Sequence, residues 1–527
     1  MFKSLMPRWL VLASLAFILT TARAEMTLRI ANEGEPETLD PQLVSGVWES
    51  RICGDLFLGL TTEAADAKTI PGAAASWNAS ADGLTYTFKL RDHNWSDGQP
   101  VTADDFVFAF RRILDPATAA EYASLLFIIK NAEELNKGQA KPEDLGVKAL
   151  DSKTLDITLK APAPYFIDML THHSTFPIPK HIVEKYGKDW IKKGNIVGNG
   201  PYVLNEWLPN THIILDKNPK FYDAANVKID RVIYDPNEDR GATQKAFRAS
   251  ELDVTKDFAS DQIDWLKKNL PEETHIAPFL GIYYYAINTK KPPFGDPRVR
   301  VALSMAIDRE AITDKVLKTG ELPAYSFVPP GVGNYQGGPA LIAWKAMPYA
   351  ERIAKAKQLL TEAGFGPDKP LKFTLSYNTS ENHKRIAVAV AAMWKQLGVQ
   401  VELFNSEAKV HYENLQQHNF EIGRAAWIAD YSDPQNFLYL LETRTGAQNY
   451  AQYSNADYDK LMQEAEVTQD LPKRASILAK AEAIAMAEQP VIPIYYYVSK
   501  NLVSKKVKGW IDNTKDIQRT RWLSVEP

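Results

Sequence analysis

The sequence predicts an α/β fold spread over two or three domains, and three observations carry that expectation. Strand-like and helix-like patterns alternate along most of the chain. Residues 371–404 read as a complete strand-helix-strand unit. At 527 residues the chain exceeds what a single hydrophobic core accommodates. No low-complexity segment, solenoid-period repeat or Gly/Ser linker marks a boundary. The lobes are therefore expected to be joined by short strands crossing between them.

Residues 1–24 have the pattern of a secretory signal: Lys3 and Arg8, then the apolar run WLVLASLAFIL, then Ala22-Arg23-Ala24 as a small-residue cleavage site. The run is too short to span a bilayer, and no cysteine follows the cleavage site to carry a lipid. The expectation is a soluble protein of the periplasm, with no direct membrane insertion. Cleavage leaves 503 residues and removes three basic side chains, which moves the formal charge from −4 to −7. Nucleic acid and anionic lipid both need a basic footprint, so neither is an expected partner. Cys53 is the only cysteine and cannot close an intramolecular disulfide. Its apolar neighbours in ICGDLFLGL make it a small core residue.

Residues 84–90 (LTYTFKL) alternate like a strand, and Ser96-Asp97-Gly98 turns the chain. Thr102 then caps a helix with Phe106, Phe110, Ile113 and Leu114 on one face, Asp104 and Asp105 in its first turn, and Arg111 and Arg112 near its end at Asp115-Pro116. GNGPY (198–202) reads as a turn entering a strand. Residues 282–288 form a strand whose three tyrosines, Tyr283 to Tyr285, must face both sides. Pro297 starts the next helix, with Val299, Leu303 and Ile307 near helical spacing, and Asp308 and Arg309 are framework charges. In the strand-helix-strand unit, Thr379 or Ser380 caps a helix ending at Gly398, and VQVELF returns as a parallel strand. His383 lies in the first turn of that helix, at the carboxyl end of the preceding strand, where open α/β sheets bind ligands. The helix field there favours the neutral imidazole.

The chain is organised around residues 420–438, FEIGRAAWIADYSDPQNFL, an aromatic-flanked run in which Arg424 and Asp430 bracket five uncharged residues and Glu421 and Asp433 are the other charges. On a continuous strand, positions six apart share a face and lie about 20 Å apart. A buried charge is costly unless paired. In one reading Arg424 and Asp430 pair with each other or with framework charges. In the other they wait for the carboxylate and ammonium of a free peptide, since capture of chain termini is a recurring recognition mode.

Catalytic and metal motifs are missing. There is no HExxH, no GxSxG and no Gly-rich phosphate loop, and His411 and His418 are seven apart. Vicinal His172-His173 could touch a metal, but read as part of a strand they face opposite ways, which weighs against a shared ion. The expectation is a binding protein without cofactor or enzymatic activity.

Six stretches in order resemble one family: LDPQLVSG, WSDGQPVTADDFVFAFRRILDP, GNGPYVL, YYYAINTKKPPFGDPRVRVALSMAIDR, LSYNTSENHKRIAVAV and IPIYYYV, together with Arg424, Trp427, Asp430, Tyr431 and Pro434. The resemblance is to the periplasmic oligopeptide-binding proteins of ABC importers, within solute-binding protein family 5. It implies the large, class II-like periplasmic-binding-protein fold, two lobes with hinge strands and an inserted smaller domain. The implied division is lobe I from residues 25–57, 182–281 and 499–527, an inserted domain at 58–181, and a further lobe at 282–498. It implies a protein that takes short peptides to an inner-membrane ABC permease, with Asp430 for the ammonium and Arg424 and His383 for the carboxylate; a monomer is expected because docking on the transporter needs both lobes exposed. Ser45, Gly46 and Val47 would offer backbone and side-chain groups, Tyr122, Trp427 and Tyr497 would wall the pocket, and the Ala425–Ala426 backbone would pair with the peptide as an added strand. Ala408, Leu415, Leu317 and Ser45 depart from the family pattern by removing a wall tryptophan, two basic residues and a glutamate. The departures favour a narrower or bulkier ligand such as a murein-derived peptide. The same fold could instead bind an opine, a sugar or a metal chelate, or signal nutrient state.

Overall fold

The structure, a computed structural model, describes residues 25–526. The secretory signal expected at 1–24 lies outside the described residues. Within them, an eleven-stranded sheet runs through the molecule. From one edge its order is Gln400–Ser406, Lys372–Asn378, Ile422–Ile428, Thr274–Ile287, Val491–Val503, Val254–Lys256, Thr27–Ala31, Arg231–Asp235, His212–Lys217 and Tyr202–Leu208. The eleventh strand, Leu322–Pro323, pairs with Val491–Val503. The first strands belong to residues 274–503 and most of the last to residues 27–256, so the sheet has two sequence-distinct halves.

Two long antiparallel strands, Thr274–Ile287 and Val491–Val503, join the halves. The crossing strands are therefore long, where short ones are expected. Pro278 interrupts the pattern that announces a strand from residue 282 onward, and the ladder absorbs it through a register shift between Pro278 and Ile282. The expected boundaries at 281/282 and 498/499 fall inside these two strands. Tyr283 and Tyr285 enter one hydrophobic core and Tyr284 another, as the period of two requires.

A separate four-stranded antiparallel sheet, in the order Ala74–Ala79, Thr85–Leu90, Thr154–Thr158 and Val147–Asp151, lies wholly within residues 58–181. The helix Ala103–Leu114 packs on it, burying Phe106, Phe110, Ile113 and Leu114. The Asp105 carboxylate accepts the Thr102 backbone N–H at 2.8 Å, one half of a capping box. The strand-helix-strand unit forms as predicted. Lys372–Asn378 and Gln400–Ser406 pair in parallel, and Glu381–Lys395 buries Ile386, Ala387, Val390 and Trp394.

Two features of this frame give direct tests. A Cβ on Gly198 would lie 2.1 Å from the Leu56 carbonyl oxygen, while the neighbouring Asn199 amide bridges the Leu58 N–H and C=O at 2.9 Å each. Backbone cannot yield there cheaply, so Gly198→Ala is expected to cost about 1–3 kcal/mol in urea unfolding. An unchanged midpoint would contradict this packing. Cys53 is fully buried and burial pushes its thiol well above the usual value. Native protein is expected to resist a thiol reagent that titrates one equivalent after unfolding.

Candidate ligand-binding site

The two halves of the large sheet and the smaller sheet's domain meet around a cavity with about 290 Å³ of space for the centres of water molecules. Its lining draws on residues 33–51, Tyr122, 171–173, 378–383, 424–430, 495–500 and 515–520. Along one flank the charges compensate each other: Arg51 meets Glu33 at 3.1 Å, Arg519 meets Glu63 at 2.8 Å, Lys515 meets Asp168 at 2.6 Å, and Lys500 meets Glu321 at 3.2 Å and Asp257 at 3.3 Å.

Arg424 is different. It is 5% exposed, and among the described residues no carboxylate lies within ion-pair distance. Its Nη1 donates to Asn378 Oδ1 at 3.1 Å and to the Tyr412 hydroxyl at 3.0 Å, and its Nη2 donates to the Tyr497 hydroxyl at 2.7 Å. The guanidinium lies 4.8 Å over the Tyr283 ring, and Nε has no hydrogen-bond partner among the described residues. Burial pushes the Tyr283 and Tyr497 phenols up, so they orient the cation without neutralising it. His383, in the first turn of Glu381–Lys395, has its ring 5.5 Å from Tyr283 and an unpartnered Nδ1. Burial first, then Arg424, Arg240, His411 and Lys500, hold its imidazole well below the usual value. The neutral form expected from the helix field is thus enforced mainly by desolvation.

Asp430 follows the end of Ile422–Ile428 by two residues and lines the same cavity, its side chain 11% exposed. Asn436 grips it twice: Nδ2 donates to Asp430 Oδ2 at 3.2 Å, and Oδ1 accepts the Asp430 N–H at 3.0 Å. Asp430 Oδ1 is 3.3 Å from His172 Nε2. Arg424 and Asp430 do not pair with each other, and among the described residues no Lys or Arg pairs with Asp430. Between them Trp427 packs against Tyr122, centroids 6.1 Å apart, and against Tyr439 at 5.8 Å.

The backbone between the charges has an open edge. Ile422–Ile428 pairs with Thr274–Ile287 along its length, but with Lys372–Asn378 only at Ile422 and Gly423. The Ala429 N–H donates to Leu280 O and Glu421 O accepts from Asn288 N, so odd-numbered residues bond toward Thr274–Ile287. Even-numbered ones face the cavity side, where His411 Nε2 donates to Arg424 O at 2.7 Å. Ala426 and Ile428 therefore present their amides to the cavity. Ala425 does not: it is fully buried, absent from the lining, and its backbone bonds the other way. The expected Ala425–Ala426 pairing surface is corrected to Ala426 and Ile428, because alternate residues of an antiparallel strand bond to opposite sides.

Ser45, Gly46 and Val47 line the cavity ahead of the helix Val47–Leu56. The Ser45 and Gly46 N–H groups, however, already donate to Glu49 Oε2 at 3.1 and 2.9 Å, so those two donors are not available as expected. Ala408 stands in the cavity wall, whereas Leu415 and Leu317 are buried in cores. The reading of His172-His173 as part of a strand also fails. His173 opens a short 3₁₀ turn, which brings both rings to the cavity with centroids 3.9 Å apart. Sequence reasoning also missed Asn378, Tyr412 and Asn436. Asn378, just ahead of the recognised helix start, carried a positional signal; the other two carried none.

The chain matches the family described as bacterial extracellular solute-binding proteins, family 5 Middle, over residues 68–449. It is 40% identical to the periplasmic murein peptide-binding protein MppA of Escherichia coli, over 93% of this chain and 91% of that one. It is 37% identical to the probable deoxycholate-binding periplasmic protein YgiS of the same organism, over 96% and 95%. Oligopeptide-binding protein OppA of Haemophilus influenzae, in complex with RPPGFSPFR, superposes with a TM-score of 0.93 at 37% identity, covering 96% of this chain and all of that one. A structure of MppA superposes at 0.93 with 39% identity, over 95% and 99%. Its unliganded open form reaches only 0.67 at the same identity, over 95% and 98%, so the lobes here are not in the open arrangement. The fold and these similarities make the chain a member of family 5 of the bacterial extracellular solute-binding proteins.

Proposed function

We propose that this protein captures short peptides in the periplasm and delivers them, as a monomer, to an inner-membrane ABC importer. The carrying observation is the pair of charges, Arg424 buried and Asp430 nearly so, that among the described residues have no ionic partner of fixed charge and that flank the open strand edge at Ala426 and Ile428. A peptide brings the missing parts: a carboxylate for Arg424 and His383, an ammonium for Asp430, and backbone amides for the edge. Trp427, Tyr122 and Tyr497 wall the chain between, and Ser45 and Val47 border it. Lobe I (25–57, 182–281, 499–527) and the 282–498 lobe would close about the two long crossing strands, with 58–181 as the inserted domain. Closure strips water from the ligand and strengthens every polar contact inside. Nothing in this role calls for catalysis or a cofactor.

Similarity to MppA makes murein-derived peptides a candidate within the class. A second reading is a carboxylated apolar solute without an amino end, held at Arg424 against the aromatic walls. The contacts of Asn436 and His172 to Asp430, and the similarity to YgiS, favour it. Mass spectrometry of the ligand retained by protein purified from its native periplasm separates the two. Peptides with free amines are expected; an amine-free acid would establish the second reading.

A further inference from the structure

The peptide reading leaves the vicinal histidines beside Asp430 without a role. The His173 Nδ1 lies 2.6 Å from the Pro41 carbonyl oxygen. A carbonyl only accepts, so Nδ1 carries the proton and Nε2 is a bare acceptor. The residue is 2% exposed and lines the cavity, and among the described residues no donor of the chain meets Nε2. Burial, then the neighbouring His172 ring, hold the His173 imidazole well below its usual value. His172 has the opposite tautomer. The Ser174 N–H, which can only donate, points at its Nδ1 from 3.4 Å, with the Ser174 hydroxyl at 2.8 Å. Its Nε2–H is therefore the group facing Asp430 Oδ1 at 3.3 Å. Tyr122 packs on both rings, at 4.5 and 5.5 Å between centroids, and fixes the pair.

We propose that His173 is a binding residue for the amino end of the ligand, accepting through Nε2 one N–H of the ammonium whose charge Asp430 receives, with His172 positioning the carboxylate. This rests on the reading of the ligand as a free-amine peptide. An ammonium has three donors to satisfy once water is excluded, and a carboxylate alone leaves donors unmet. A buried lone pair at the same place repels a carboxylate. The pair thus sets the direction in which a peptide lies, amino end toward His173 and carboxyl end toward Arg424.

The test titrates wild type, His173→Leu and His173→Gln with a free-amine tripeptide and with its N-acetyl form. His173→Leu keeps bulk and removes the acceptor, and is expected to weaken the free-amine ligand by about 10- to 100-fold, as for a lost hydrogen bond to a charged group. His173→Gln, whose amide oxygen can accept, is expected to recover part of the loss. A second readout needs no substitution: in protein labelled with ¹⁵N-histidine, the bare Nε2 resonance of His173 is expected to move toward the hydrogen-bonded position when the free-amine peptide binds. Unchanged affinity in His173→Leu, or an unmoved resonance, overturns the role of His173 while wild type still prefers the free amine. Absence of that preference in wild type overturns the peptide reading instead.

Discussion

Asp430→Ala is expected to lower affinity for a free-amine tripeptide by about 2–5 kcal/mol. The Asp430 carboxylate is nearly buried, and its chain partners are Asn436 and His172 rather than a Lys or Arg. Truncation leaves the incoming ammonium desolvated and unpaired, the situation that makes half of a buried pair so costly. Asp430→Asn keeps the shape and removes the charge, so it should lose nearly as much. An N-acetylated ligand has no ammonium to strand, and both variants should bind it like wild type. Calorimetry on these combinations checks the claim. Equal losses for free and acetylated ligands would mean that Asp430 acts by holding the 430–438 turn through Asn436, not by meeting a charge.

Arg424→Met carries the second large effect, and it is expected to separate function from stability. Affinity for a ligand with a free carboxylate should fall by about 2–5 kcal/mol, with a C-terminal amide unaffected. The ligand-free fold should lose little. Removing the guanidinium forfeits its bonds to Asn378, Tyr412 and Tyr497, worth about 1–3 kcal/mol, but also removes a buried charge whose desolvation costs several kcal/mol. The thermal midpoint of ligand-free protein is expected to hold or rise. Arg474 provides the contrast. It is equally buried but fork-paired to Asp433 at 2.8 and 2.9 Å, so Arg474→Met should destabilise by about 3–5 kcal/mol. Thermal unfolding of the two variants side by side tests the distinction; a large loss in Arg424→Met would make that residue a framework cation.

The elements legible in the sequence are those whose signals are local. The 372–406 unit announces itself through period-two strands, a cap at Ser380 and Gly398 in the left-handed region. Arg424 and Asp430 stand out because the run between them, AAWIA at 425–429, carries no charge. What could not be read is set by partners distant in sequence. Which backbone edge of Ile422–Ile428 is free depends on where Lys372–Asn378 stops pairing, so Ala425 and Ala426 could not be told apart. Glu49 takes the Ser45 and Gly46 amides only because a helix begins at Val47. His172 and His173 share a side because the chain turns there, and a strand pattern carried one residue too far places them apart. The full length of Thr274–Ile287 is masked by Pro278, which the ladder accommodates through its register shift.

The account rests on a cavity that holds two opposite charges in reserve for a molecule that brings both complements. Its most direct test is calorimetric titration of wild-type protein with one tripeptide in four forms: free, N-acetylated, C-amidated and blocked at both ends. The account predicts that each block weakens binding by at least about tenfold and that the doubly blocked peptide binds weakest. Equal affinity for the free and doubly blocked forms would contradict it.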